Sequence, residues 1–442
     1  MARGSLRLAS NLLHYSWATM GPVGSAVAQF ALSLVLLRVL DIGAFGSFSF
    51  LLIVSQLSWG VWGALFCAPL PILLTAGDVA SRRRLLRSLF TTNLLGAGLA
   101  FMLFLPLGIV AGVAPGGAAL FAASAALALL RWFARAHAYA TGRPLRATAS
   151  DLAYSLVLLA GLVLILLART ADLEMAFTTL LLGAVAGLLP FGRDYLVSQF
   201  TGMSWRDLPG YRAVWRQFAG WSLLGVVTTE ATANSHVYIV TLVYGPEGFA
   251  PIAASTLLVR PMNVAMNALT EFERARMARQ IGDGQIGQAA ASVRFFRWVL
   301  VTGWIANVLA AGALLYYGPR LVFPPQYSMP FLVTAAALWM AVVAVRLLRT
   351  PESALLQSAG AFRPLALASV ASSGISVVAV AILLAVSGPL WSIGGILIGE
   401  LAFAGWIWRQ TRLWVASAML RSASSPDSVI PARAAGCGTA SP

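Results

Sequence analysis

Two ionisable residues of opposite sign lie within apolar stretches of the sequence, Glu230 and Arg260. An ionisable side chain at membrane depth is costly, and it is by default a candidate for function. At 100° per residue, Asn234 lies on the same helical face as Glu230. Asn267 shares a face with Arg260, and Asn263 borders that face. The pattern indicates one polar face on each of two successive helices.

Two hypotheses fit Glu230 and Arg260. Counted at 1.5 Å per residue from the ends of their predicted spans, both lie at a similar depth, ~14 to 18 Å from the inner surface. They are then either a buried structural ion pair or working groups. In the second case Glu230, with Asn234, binds or exchanges an ion, and Arg260 binds an anionic group. Pro261 removes a backbone hydrogen bond and predicts a kink beside Arg260.

Four further arginines lie near the inner ends of two predicted spans. Arg131 and Arg135 are four residues apart in one span, and Arg346 and Arg349 are three apart in another. Arginine binds phosphate through two parallel hydrogen bonds, so these four can line an inward-facing vestibule for an anionic group. The alternative is that they extend toward the lipid headgroups and serve only to orient the spans.

Three other polar residues receive structural interpretations. Asp151 stands at the predicted start of a span and is interpreted as a helix N-cap. Glu400 lies in the middle of the last span without an evident partner. His236 is about 120° away from the Glu230 face, which favours a helix-packing contact over a role in proton transfer.

The composition explains why these residues must be carried by membrane helices. The chain has 442 residues, of which 59% are hydrophobic and only 10% charged, whereas soluble domains carry ~25% charged residues. No residue is charged between Arg87 and Arg131, or from Pro364 to Gly399. Since one spanning helix needs ~20 apolar residues, each stretch holds two spans.

The residue types exclude several kinds of chemistry. All 30 basic residues are arginine, so the chain lacks the lysine that a Walker A loop or a Schiff base requires. The three histidines and two cysteines have no metal-ligand spacing, and we expect neither a metal nor another cofactor. The net charge is +15, and the basic residues that produce it are distributed over the loops between spans. This distribution argues against nucleic acid as a partner and indicates a bilayer.

Twelve spans account for the sequence, roughly 15–40, 46–73, 88–112, 117–138, 151–168, 173–197, 217–243, 249–270, 294–317, 328–350, 364–386 and 389–408. Alternate connections hold nearly all the arginines, and the opposite set holds only Arg38, Arg169 and Arg320. By the positive-inside rule, both termini are cytoplasmic. Turn residues such as Gly245-Pro246 and Ser387-Gly388-Pro389 separate neighbouring spans.

The two halves of the sequence resemble each other. At an offset of 204 residues, 43–46 (GAFG) lies over 247–250 (EGFA), and each is followed by a long apolar span. Six spans per repeat give both halves the same orientation, as in transporters whose substrate path lies between repeats. The predicted organisation is an N-terminal six-helix lobe, a cytoplasmic linker, a C-terminal six-helix lobe and a partly disordered cytoplasmic tail, at 1–200, 201–216, 217–410 and 411–442.

Several motifs carry a resemblance to a known family. The segment 36–50 (LLRVLDIGAFGSFSF) resembles the "LAR-x-LGP-x-x-FG" signature of polysaccharide flippases in the multidrug/oligosaccharidyl-lipid/polysaccharide (MOP) exporter superfamily. The second half adds 242–250 (LVYGPEGFA), 321–336 (LVFPPQYSMPFLVTAA) and 355–364 (LLQSAGAFRP) in the family's order. One departure is Asp41-Ile42-Gly43, where the family usually has Gly-Pro.

The resemblance implies an all-α membrane protein of about twelve helices, in two pseudo-symmetric lobes that form a V-shaped, MATE-like bundle. It implies alternating access and export of an undecaprenyl-pyrophosphate-linked oligosaccharide across the bacterial inner membrane, for O-antigen, capsule or exopolysaccharide. It also implies a coupling ion, H⁺ or Na⁺, and polysaccharide polymerase machinery as a partner.

Two other function classes compete with this one. A small-molecule exporter of the MATE or another secondary type shares the same architecture. A membrane-embedded polysaccharide polymerase or ligase is disfavoured, because such enzymes usually need a long outer loop with basic and acidic residues, and the outer loops here are short. We therefore expect a transporter and not an enzyme.

Overall fold

The computed structural model of the protein describes residues 2–67, 70, 79–168, 172–201 and 205–424. These residues form long α-helices joined by short connections, with no strand in the described part of the chain. The predicted loop around Arg169 and the tail from residue 425 onward lie outside the described residues. The long helices of the first half are α1 Ala2–Val39, α2 Ile42–Trp62, α3 Val79–Val110, α4 Pro115–Ala140, α5 Pro144–Leu167 and α6 Leu173–Leu188, and a short helix, Arg193–Thr201, follows them.

The second half begins with the helical segment Gly220–Thr256, which Gly245 interrupts with φ 70° and ψ 178°. We therefore divide this segment into α7 (220–244) and α8a (246–256). A turn at 257–259 follows, and the helix resumes as α8b. The remaining helices of this half are α8b Arg260–Gly282, α9 Ile286–Tyr317, α10 Met329–Ser358, α11 Phe362–Ser387 and α12 Ser392–Ser424.

The chain reverses direction at Gly245. The rings of His236 and Phe249 are 13 residues apart in sequence, yet their centroids are only 6.4 Å apart. One continuous helix would separate them by about 20 Å. A residue with positive φ followed by proline suits this reversal, because glycine has no Cβ to strain the left-handed backbone and Pro246 favours a helix start.

Eleven helices among the described residues are long and apolar enough to cross a membrane, and the most apolar of them is Arg363–Ser387. One of the eleven, Ser222–Thr256, contains the reversal at Gly245 and so includes both α7 and α8a. The chain is therefore a multi-pass, all-α membrane protein with about twelve spans, as the sequence predicts. The described part of the predicted linker, 205–216, forms short helical turns. Helix α12 continues past the predicted start of the tail at residue 411.

The helices pack in two groups. In the first, α1 packs on α5, α5 on α6, α6 on α4, and α4 on α3. In the second, α7 packs on α11, α11 on α12, and α12 on α10, which also contacts α8b and α9. Helix α2 joins the groups by packing along the segment Gly220–Thr256. The division of the chain into two lobes at 201–216 stays a prediction.

The two related sequence motifs touch each other at this junction. A Cβ placed on Gly46 would lie 3.3 Å from the Cβ of Ala250, its counterpart at the offset of 204. Gly43 likewise approaches Glu247, with 3.2 Å from a Cβ to the Glu247 Cγ. Contact between equivalent positions is what a two-fold axis between the groups requires. The contacts therefore support the internal repeat.

Replacing Gly46 with alanine is expected to disturb this junction. The added Cβ would lie 2.0 Å from the carbonyl oxygen of Pro246, so a backbone segment must shift, at a cost of about 1–3 kcal/mol. Gly98 in α3 is the matched control, because nothing lies within 4 Å of a Cβ there and alanine should stabilise by about 0.5–1 kcal/mol. Thermal stability of the purified protein measures both, and a Gly46→Ala variant as stable as the parent would contradict the packing.

Candidate functional site

A cavity of about 530 Å³ lies between the two groups of helices. Its walls come from α1, α2, α4 and α5 on one side and from α7, α8a, α8b and α10 on the other. The charged side chains that line it are Arg131, Arg135, Asp151, Arg260 and Arg346. Four positive charges against one carboxylate make the cavity cationic, and its low-dielectric walls strengthen that field.

Asp151 organises the arginines of α4. It forms ion pairs with Arg131 and, at 3.0 Å from Oδ2 to Nη2, with Arg135. Arg131 also donates from Nε to the hydroxyl of Ser150 at 3.0 Å. All three charged side chains are buried or nearly so, and two arginines on one aspartate leave one positive charge uncompensated.

The interpretation of Asp151 as an N-cap is wrong. Helix α5 begins at Pro144, with Arg143 as its cap residue, so Asp151 lies two turns inside the helix. Its side chain faces α4 and α1, where a Cβ on Gly21 would lie only 2.7 Å from Oδ2. The helix starts earlier than predicted because proline favours the first helical position.

Tyr154 connects the arginine cluster of α4 to α1. The guanidinium of Arg131 lies 4.3 Å from the centre of the Tyr154 ring, a cation–π contact. The Tyr154 hydroxyl accepts a hydrogen bond from Gln29 Nε2 at 2.9 Å. These contacts hold Arg131 at the cavity wall in one orientation.

A second cluster lies in the other group of helices. Glu400 of α12 accepts hydrogen bonds from Arg346 Nε at 3.0 Å and from Arg349 Nε at 2.7 Å. Glu400 is buried, so the expectation that it lacks a partner is wrong. The cluster repeats the two-arginine, one-acid composition of the first, although the acid comes from a different relative position in the lobe.

Arg349 is the one predicted substrate-binding residue that the cavity does not include. Its guanidinium lies 4.3 Å from the ring centre of Phe403 on α12 and bonds Glu400, so Arg349 contacts the wall behind the cavity. Arg131, Arg135 and Arg346 do line the cavity, as the vestibule hypothesis predicts. The other lining residues among the candidates are Arg260, Asn263, Asn267 and Asn234.

Arg260 is the first residue of α8b and lies at an interruption of the helix. Leu257, Leu258 and Val259 form a turn between α8a and α8b, directly before the predicted kink at Pro261. The carbonyl freed at Leu258 accepts a hydrogen bond from Asn307 Nδ2 at 3.1 Å. A helix that starts at the cavity also directs its positive dipole end there.

The side chain of Arg260 reaches across the cavity. Its Nη1 donates to the hydroxyl of Ser33 on α1 at 3.2 Å, and no carboxylate among the described residues forms an ion pair with it. A largely buried guanidinium without a counter-ion is an anion site in chemical terms. Asn263 and Asn267 follow it on the cavity side of α8b.

The hypothesis that Glu230 and Arg260 form an ion pair is wrong, although both residues are in the described part of the chain. Glu230 Oε1 instead accepts hydrogen bonds from Asn234 Nδ2 at 3.0 Å and from the Tyr238 hydroxyl at 2.6 Å. The predicted polar face of α7 is thereby confirmed. The two residues do not pair despite their similar predicted depth in the membrane. Arg260 is directed toward α1, and the Glu230 carboxylate accepts its hydrogen bonds from side chains of its own helix.

A double-mutant cycle checks this separation. With Glu230→Gln, Arg260→Met and the double variant, the changes in free energy of unfolding should add to within about 0.5 kcal/mol, as they do for residues without contact. Thermal or chemical unfolding of the purified variants gives the three values. A coupling of about 2 kcal/mol or more would restore the ion-pair hypothesis.

His236 packs as predicted, with its ring centroid 5.2 Å from that of Trp339 in an edge-on arrangement. No cluster of histidine, cysteine, aspartate or glutamate suited to a metal ion occurs among the described residues. The partners of Asp151 and Glu400 are the features that sequence reasoning missed. The available signal was a carboxylate at or within a span, with arginines in other spans of the same half.

Comparisons with known proteins add the fold relationship. No family model and no curated protein matches the sequence. An inward-facing multidrug resistance MATE transporter of the MOP superfamily is 13% identical, covers 90% of this chain and 96% of its own, and superposes with a TM-score of 0.69. An outward-facing multidrug resistance MATE transporter of the same superfamily is 13% identical, covers 91% of this chain and 94% of its own, and superposes with a TM-score of 0.59.

A second kind of neighbour is the lipid II flippase MurJ in an inward closed conformation. It is 10% identical, covers 92% of this chain and 90% of its own, and gives a TM-score of 0.66. At such identities the likeness concerns the fold alone. The chain therefore has the fold that MATE transporters of the MOP superfamily share with the lipid II flippase MurJ.

Proposed function

We propose that the protein is a transporter that moves an undecaprenyl-pyrophosphate-linked oligosaccharide across the bacterial inner membrane by alternating access. The observation that carries this proposal is the cationic cavity, whose lining holds Arg131, Arg135, Arg260 and Arg346 with Asp151 as its carboxylate. Even with Glu400 behind Arg346 counted, arginines outnumber carboxylates. A pyrophosphate carries two or more negative charges at neutral pH, which matches the excess of arginine. The distribution of arginine among the loops supports cytoplasmic termini.

The cavity has a size that suits the headgroup of such a lipid. Its volume of about 530 Å³ is within the range of ~300–1,000 Å³ found for ligand sites, whereas a polyprenyl chain would not fit beside a sugar. We infer that the arginines bind the pyrophosphate and that the polyprenyl chain stays in the bilayer. The lipid II flippase among the structural neighbours supports a lipid-linked substrate.

Glu230 is the proposed coupling group. Its neighbour one turn away, Asn234, lines the cavity, and Glu230 is tied to it by a hydrogen bond. Only one of the Glu230 oxygens accepts hydrogen bonds among the described residues. A carboxylate at the cavity margin can exchange a proton, or bind Na⁺ with the amide oxygen of Asn234. Coupling through Glu230 predicts that Glu230→Gln folds but loses any dependence of transport on the ion gradient.

The second candidate is a small-molecule exporter, which the MATE neighbours favour. The charge of the cavity argues against cationic drugs, since four arginines would repel them, and leaves anionic small molecules. Deletion of the gene in the source bacterium separates the two. A flippase predicts that undecaprenyl-linked glycan accumulates on the inner leaflet and that surface polysaccharide falls; unchanged glycan with altered drug resistance would favour the exporter.

A further inference from the structure

Several buried polar atoms in the cavity wall have no hydrogen-bond partner among the described residues. They include both ring nitrogens of His236, the indole Nε1 of Trp339 and the amide oxygen of Asn263. All three residues line the same cavity, and His236 is only 1% exposed. Since more than nine-tenths of buried polar groups in proteins are paired, such a concentration in one cavity indicates a ligand that pairs with them.

The position of these atoms relative to the arginines is informative. Trp339 and Arg346 lie on α10, seven residues apart on one face, which corresponds to about 10 Å along the helix. His236 of α7 packs edge-on against Trp339. Asn263 lies three residues after Arg260 in α8b. The unpaired atoms therefore lie next to the arginines, at a distance that one sugar ring attached to a pyrophosphate can span.

The chemistry of the unpaired atoms selects among ligands. The Trp339 N–H only donates, the Asn263 oxygen only accepts, and a neutral His236 ring does one of each. An ionised phosphate or carboxylate has no hydrogen to donate to the acceptor atoms, and an aliphatic chain forms no hydrogen bond with either donors or acceptors. A hydroxyl group both donates and accepts, so a ligand with several hydroxyl groups pairs with all of them.

We propose that His236, Trp339 and Asn263 form a subsite for a neutral, hydroxyl-rich sugar next to the arginine site. This inference rests on the proposed function and assigns a binding site to the sugar end of the headgroup. The arginines bind the pyrophosphate, which every lipid-linked glycan has in common. The subsite contacts the first sugar and therefore distinguishes a glycosylated carrier from the bare lipid.

The test compares two ligands on the purified full-length protein. The probes are undecaprenyl pyrophosphate and the same lipid carrying one glucose, and native mass spectrometry or a fluorescence titration gives each Kd. Trp339→Phe keeps the ring and removes the N–H, and Asn263→Leu removes the acceptor. Trp304→Phe is the matched control, because its N–H is paired with the Met340 carbonyl at 3.1 Å and it does not line the cavity.

We expect the wild type to bind the glucosylated lipid more tightly than the bare lipid. Trp339→Phe and Asn263→Leu should each weaken binding of the glucosylated lipid about fivefold, the usual effect of one hydrogen bond, without changing the affinity for the bare lipid. Trp304→Phe should change neither.

The remaining outcomes distinguish failure of the sugar subsite from failure of the proposed function. Equal losses for both ligands, or no loss for either, would overturn the sugar subsite while leaving the proposed function intact. A wild type that binds neither lipid would overturn both proposals. A variant that fails to fold is replaced by the other, since Trp339 and Asn263 lie on different helices.

Discussion

Replacing Asp151 with alanine is expected to lower the free energy of unfolding by about 3–5 kcal/mol, the cost of breaking a buried ion pair from one side. The aspartate is fully buried and bonds two arginines. Its loss leaves Arg131 and Arg135 as neighbouring, desolvated like charges. Most of the variant should therefore fail to accumulate in the membrane, or should unfold at a much lower temperature.

Asp172 provides a matched control for this prediction. It is an exposed N-cap whose Oδ1 accepts from the backbone N–H of Met175 at 2.9 Å, and its replacement by alanine should cost about 1 kcal/mol. Unfolding of both variants under the same detergent conditions gives the comparison. Equal stabilities of Asp151→Ala and Asp172→Ala would contradict the two-arginine cluster.

Replacing Arg260 with glutamine is expected to reduce transport by roughly 10- to 100-fold, because hydrogen bonds to a charged group contribute about 1.5–3 kcal/mol. The free energy of unfolding should change little, since removing Arg260 leaves no buried carboxylate without its ion-pair partner. Arg260→Lys should keep an intermediate activity, because lysine retains the charge but cannot form the paired bonds of a guanidinium. Surface polysaccharide per unit of folded protein measures the effect.

Substitution of Arg260 tests substrate binding more directly than substitution of the arginines of α4. Reversing both Arg131 and Arg135 to glutamate would place three carboxylates together at Asp151, so folding would fail before transport could be measured. Arg38, exposed near the end of α1 and outside the cavity, is the control, and Arg38→Gln should transport normally. Full transport by Arg260→Gln would show that Arg260 does not bind substrate.

The sequence predicts the architecture well because its signals are local. Apolar runs, the Gly245-Pro246 turn and the distribution of arginine among the loops each act within a few residues, and the structure has the corresponding helices and breaks. Arg131 and Arg135 of α4, Arg260 of α8b and Arg346 of α10 also reach one cavity, since charged side chains in a membrane protein avoid lipid and face its interior.

The ion pairs could not be predicted in the same way. Glu400 meets Arg346 and Arg349 across two helices that are not consecutive, and the choice depends on packing that helical periodicity does not encode. Arg260 and Glu230 have equal depth, but the turn at 257–259 directs Arg260 toward Ser33 of α1. The N-cap interpretation of Asp151 is wrong because it places the start of α5 seven residues too late. Pro144, the first residue of α5, is the local signal for the true start.

The most direct measurement of the central claim is flipping by the purified protein in proteoliposomes. A fluorescent undecaprenyl-pyrophosphate-linked oligosaccharide is placed in one leaflet, and its arrival in the other is followed by a membrane-impermeant quencher, beside uptake of the cationic dye ethidium. The cationic cavity predicts protein-dependent flipping of the anionic lipid, lost in Arg260→Gln, and no uptake of ethidium. Ethidium transport without flipping of the lipid-linked oligosaccharide would contradict it.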